Sequence, residues 1–166
     1  MTTGALYFFF DDKEDLFRAI VEPPMTALEN MIQKHFMEEE QILSLTDVYV
    51  HLAGDHDEIA EAIIHHLYQN YDAFILLLTK SQGTAFEESL DRIVDMTEKQ
   101  FTTSVSLFAR QNSGRQVNSY MIHWMAHMTI DAFVHLLTHE REEQAAVQQM
   151  KAIMNFIVKG FVEMIL

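Results

Sequence analysis

The sequence predicts an all-α fold, one helical bundle, on three observations. Only two prolines and five glycines interrupt 166 residues. Apolar residues recur at three- and four-residue spacing through successive segments, the period of a helix face. No stretch alternates apolar and polar residues between turn signals, as a half-buried strand does.

Taken in order, Asp11 and Asp12 precede Lys13-Glu14-Asp15 and offer an N-cap with acids in the first turn. Leu16, Phe17, Ile20 and Val21 then form an apolar stripe. Pro23-Pro24 is expected to interrupt it, because proline lacks an N–H and clashes with the preceding turn. A second helix is predicted over 25–39, with Leu28, Met31, Ile32 and Phe36 inward, and a short one over 45–53 ended by Gly54. Asp55-x-x-Glu58 has capping-box spacing, and Ile59, Ile63, Ile64 and Leu67 follow before Asn70. Residues 71–82 read as a short apolar helix stopped at Gly83. Thr84-x-x-Glu87 is read as the cap of a long helix carrying Phe86, Leu90, Ile93, Thr97, Phe101, Val105 and Phe108 up to Asn112-Ser113-Gly114. Two more long helices are predicted over 118–138 and 142–165.

A chain of this length fits one folding unit, with a core large enough to need no staples. Apolar residues make up 49% and charged residues 22%, so a disordered chain is excluded. There is no cysteine, which removes disulfides and thiolate metal sites and suits a reducing cytosol. The longest apolar run, Ala73 to Leu78, falls far short of the ~20 residues that span a bilayer. The expectation is a cytoplasmic protein with no membrane partner. The net charge is -14, and only Lys13 and Arg18 are basic in the first 22 residues, against five acids. Such a surface repels nucleic acid, whose binding rests on Lys and Arg neutralising phosphates.

Gly4-Ala5-Leu6-Tyr7-Phe8-Phe9-Phe10-Asp11-Asp12-Lys13-Glu14-Asp15-Leu16 resembles a characteristic segment of the tetracycline-repressor (TetR) family of transcriptional regulators. There a small residue and Leu-Tyr close the recognition helix of a helix-turn-helix. An aromatic or His and then Phe follow, and a Lys-acid-acid-Leu start opens the next helix. The motif covers about the first twenty residues; the rest agrees in architecture, a helical body ending in two long helices. Family members carry two further head helices upstream, and Met1 stands inside the recognition helix. On that basis Met1 is expected to be an internal start, a mis-called gene start or the end of a truncation, with Leu6, Phe10, Leu16 and Ile20 forming one wall of a three-helix core. Leaving such side chains exposed forfeits ~1.5–3 kcal/mol each. The alternative is that the cluster packs onto the body or onto a partner.

The resemblance implies a remnant of the DNA-binding head over 1–22 and a ligand-binding and dimerisation domain over 23–166. Thr2 and Thr3 would lie near bases, and Tyr7 and Lys13 near phosphate, as vestigial positions lacking their scaffold; operator DNA is a partner only with the missing helices present. The final helix would pair with its copy in a homodimer through Met150, Ile153, Met154, Ile157, Gly160, Phe161 and Met164. The pocket, between the middle helices, would be lined by Phe74, Leu78, Leu90, Phe101, Phe108, Tyr120, Trp124 and Met128, with the region of Tyr120 and Trp124 favoured because polar-capable aromatics interrupt an apolar stripe there. Few basic residues are available inside, so the effector is expected to be small and lipophilic. The implied mechanism is a population shift in which the helix starting near Lys13 swings, with Pro23-Pro24 as its joint; moving such a switch from 1:99 to 99:1 takes ~5.5 kcal/mol of differential binding.

His123, His127, Asp131, His135 and His139 recur every four residues on one helix. Each step of four advances about 40° around the axis, so at most two adjacent rungs can meet one ion. Polar positions are the preferred reading: no metal and no cofactor is expected, His123 and His127 being the candidates if one binds. No E-x-x-H pair, Gly-rich phosphate loop, G-x-S-x-G or H-E-x-x-H occurs. The chain is therefore read as a non-enzyme. Two further readings stand beside the regulator: a stand-alone helical small-molecule-binding protein that never touches DNA, and a His-ligated metal-binding bundle.

Overall fold

The computed structural model describes residues 9–45, 57–111 and 118–165. Within them the chain forms α1 (Lys13–Leu45), α2 (Asp57–Gln69), α3 (Tyr71–Lys80), α4 (Ser89–Gln111), α5 (Ser119–His139) and α6 (Glu143–Ile165), and no strand. Leu45, where the predicted 45–53 helix would start, ends α1 instead; the rest of that segment, Gly54, and Asp55 of the predicted capping box lie outside the described residues.

Asp12 caps α1 as its position predicts: its Oδ1 accepts from the N–H of Asp15 at 2.8 Å, while Asp15 Oδ2 accepts from the N–H of Asp11 at 3.2 Å. The two carboxylates thus satisfy free donors at the helix start. The expected break at Pro23-Pro24 is absent. One 33-residue helix passes through both prolines and absorbs the predicted 25–39 helix. Burial is the reason. Phe17, Val21, Met25, Leu28 and Ile32 continue one buried stripe across the prolines, worth ~1.5–3 kcal/mol each against ~3 kcal/mol or more per interior proline. The carbonyls that lose an N–H partner belong to Ala19 and Ile20, both exposed, where water can reach them. The boundary between 22 and 23 therefore falls inside a continuous helix.

Between α3 and α4 the chain turns at Gly83, whose φ of +77° is a left-handed conformation that L side chains rarely adopt. Thr84 Oγ1 accepts from Phe86 N–H at 3.1 Å and Glu87 Oε2 from Gly83 N–H at 2.9 Å, each one residue short of the partner a reciprocal capping box would use. They cap a turn, however, and the helix proper starts at Ser89. The shift lets Phe86 fold under, its ring 5.8 Å from that of Phe17.

Helix α1 packs on α2, α3 and α4; α4 packs on α5; α6 packs on α2 and α5. One large apolar cluster draws on all six helices. A smaller one joins Val105, Ile122, Met125 and Ile157 of α4, α5 and α6. The α5–α6 turn is held by Glu140, whose Oε1 accepts from the N–H groups of Arg141 and Glu142 at 2.8 and 3.1 Å. The Tyr68 hydroxyl donates to the Glu140 carbonyl at 2.9 Å and ties α2 to that turn. Among the described residues, no helix is long and apolar enough to cross a membrane.

Candidate functional site

The large cluster does not close completely. A cavity of about 60 Å³ remains between α1, α2, α3, α4 and α5. Met25, Leu28 and Ile32 of α1 form one wall; Phe74, Leu77 and Leu78 of α3 face Ile130, Phe133, Val134 and Leu137 of α5; Leu90 and Ile93 of α4 and Ile63 and Leu67 of α2 complete it. Every lining side chain is apolar. Such a space stays dry and offers a guest dispersion contacts but no hydrogen bond.

Three predicted lining residues, Phe74, Leu78 and Leu90, face this cavity; Phe101, Tyr120, Trp124 and Met128 do not. Phe101 and Met128 pack half-buried against the smaller cluster. Tyr120 and Trp124, the favoured pair, are 68% and 47% exposed. The buried face of α5 is instead Ile122, Met125, Ala126, Thr129, Phe133, Leu136 and Leu137, and the two aromatics lie around the axis from it. The Phe108 side chain lies outside the described residues. Of the α1 wall, Leu28 and Ile32 read from the sequence as ordinary inward-facing core, Met25 is not singled out, and nothing in the stripe marks a void.

On α6 the predicted dimer face is largely the chain's own core. Met150 is fully buried, Ile157 is buried, and Ile153 and Met154 pack half-buried on both clusters. Gly160 is exposed, with open space around it. The side chains of Phe161 and Met164 lie outside the described residues. The exposed side carries Ala152, Phe156 and Gly160 at four-residue spacing, and Phe156, which the periodicity did not single out, is 73% exposed.

Of the head positions, Lys13 is the exposed first residue of α1. Thr2, Thr3 and Tyr7 lie outside the described residues.

No protein-family model, curated protein or solved structure matches the chain.

Proposed function

We propose that the chain is the effector-sensing and dimerising body of a TetR-type transcriptional regulator, a repressor whose ligand is small and largely apolar. The observation that carries this reading is the position of α1 as a cavity wall. The helix that begins at the motif-bearing segment, at Lys13, runs unbroken to Met25, Leu28 and Ile32 beside the void. At about 60 Å³ the void is smaller than any substantial guest; ligand pockets span roughly 300–1,000 Å³. A guest enters only as a wall moves, and α1 is the wall that leads back to the head. Occupancy and the orientation of Lys13 are thereby one event, and ligand shifts the population only by its preference for the parted state.

The test has two arms. Thermal denaturation with indole, naphthalene or 1-decanol should raise the melting temperature with a saturable concentration dependence. The codons in frame before Met1 should encode two amphipathic helices with basic residues near their turn. A chain extended by them should bind DNA with a steep salt dependence. Failure of the first arm removes the apolar effector; failure of the second removes the regulator.

A second reading has its own observation. The net charge of -14 opposes contact with phosphates, which suits a stand-alone helical small-molecule-binding protein using the same cavity. Effector binding together with a stop codon shortly upstream of Met1 would select it.

A further inference from the structure

Independently of that reading, we propose that His123 and His127 bind one divalent transition-metal ion of the Zn²⁺, Ni²⁺ or Cu²⁺ kind, with Glu98 as the residue that positions His123. The pair stands four residues apart on α5, so both side chains rise from one face. Their ring centroids are 4.5 Å apart and their planes cross at 68°. Two imidazole nitrogens at 2.0–2.1 Å from a shared ion, with bond angles between square and tetrahedral, hold the ring centroids about 4.5–5 Å apart. The separation of the two rings already falls in that range.

Glu98 supplies the second observation. Its Oε2 lies 2.7 Å from His123 Nδ1, reaching across from α4. A carboxylate only accepts, so Nδ1 carries the proton and the Nε2 lone pair is left for a metal. A carboxylate behind a ligating histidine also fixes the ring and raises its basicity. His127 is half-buried, and neither of its ring nitrogens has a hydrogen-bond partner among the described residues.

The other histidine pairings lack these properties. His65 has both ring nitrogens engaged, Nδ1 by Glu143 and Nε2 by Gln69, each at 2.6 Å. His135 and His139 stack at 4.1 Å with planes only 20° apart, and His139 Nδ1 is engaged by Thr138 Oγ1 and the His135 carbonyl, each at 2.9 Å, rather than by a carboxylate. Among the described residues no third His, Asp or Glu joins His123 and His127 to make a three-ligand group. Water fills the remaining positions, and the affinity falls below that of a closed structural site. Imidazole ligands favour these metals over Mg²⁺ and Ca²⁺. The strongly negative chain enriches cations at its surface.

The test is calorimetric titration of the full chain, freed of metal by chelation and desalting, with zinc chloride. One ion per chain should bind, and His123→Gln or His127→Gln should each abolish the event. Glu98→Ala should weaken it about 10–100-fold at unchanged stoichiometry. Glu98→Gln should recover most of that loss, because its amide oxygen still accepts from Nδ1–H. His139→Gln should titrate as the parent does. Copper(II) bound to the parent should show electron-paramagnetic coupling to two nitrogens, reduced to one in either histidine variant. Circular dichroism of the metal-free variants shows whether each is folded. No heat above dilution, or parental isotherms in both histidine variants, overturns the site. A parental isotherm in Glu98→Ala overturns the role given to Glu98.

Discussion

His66 Nε2 lies 2.8 Å from the carbonyl oxygen of Pro24 and joins α2 to α1 just past the double proline. A carbonyl only accepts, so Nε2 donates. The same ring meets Phe74 edge-on, with centroids 5.7 Å apart. His66→Ala removes this cross-helix bond, while the Pro24 carbonyl keeps its place in the helix ladder, and should lower the unfolding free energy by about 0.5–1.5 kcal/mol, read from urea denaturation. His66→Gln should lie between the two.

Pro23 is exposed inside α1, and alanine there restores an N–H for the Ala19 carbonyl. Interior proline costs ~3 kcal/mol relative to alanine, while losing proline's restraint on the unfolded chain returns ~0.4–1 kcal/mol. Pro23→Ala should therefore raise the melting temperature. A fall would contradict an unbroken α1.

Leu77 is buried in the cavity wall. Leu77→Ala should destabilise the chain by about 2–5 kcal/mol, part of it a cavity term that grows with the volume left behind. The enlarged void should take benzene or indole more readily than the parent. The check is whether either compound recovers more stability in the variant than in the parent.

Tyr68 and Glu140 place pH dependence at opposite ends of the scale. Burial, then the nearby Glu140 charge, push the Tyr68 hydroxyl above its ordinary value. The folded chain therefore holds this proton when the unfolded chain has lost it. The resulting stability is complete below the unfolded value of about 10 and drains away as pH rises through the folded one. Tyr68→Phe should flatten that alkaline decline. The N–H groups of Glu142 and then Arg141 hold the Glu140 carboxyl below its ordinary value. Its contribution is present above the unfolded value and lost as pH falls through the folded one. Glu140→Ala should shallow the acid limb of a stability–pH curve.

Phe156 tests the homodimer of the proposed regulator. If two copies pair through the exposed side of α6, Phe156→Glu places a charge in that contact and should leave a monomer by light scattering. The fold should survive, since the residue is outside both clusters. A chain already monomeric at high concentration would remove the dimer.

Helix identity was legible because long stretches keep a clean period, and α4, with polar residues opposite Ile93, Val105 and their neighbours, read almost to the residue except at its start. That start moved because Phe86 is held by Phe17, a contact distant in sequence. The prolines misled for a related reason: local propensity marks a break, and the buried stripe from Phe17 to Ile32 overrides it. The site was less legible. Helix α5 is apolar on nearly every side, so period alone does not separate buried Phe133 from exposed Trp124. Likewise α6 has one apolar face, which predicts burial without saying whether the chain's own core or a second copy provides it. Glu98 beside His123 joins positions on two helices, and no spacing rule relates them.

The uniform lining of the cavity makes it a gauge of hydrocarbon size rather than a reader of functional groups. Each methylene a guest adds gains ~0.8 kcal/mol, about fourfold in affinity, while room lasts. A hydroxyl or amide carried inside finds no partner and costs roughly 1–3 kcal/mol. Discrimination among guests is thus made by rejecting polarity and counting carbons. Two molecules of equal bulk and equal apolarity would fit this cavity equally well.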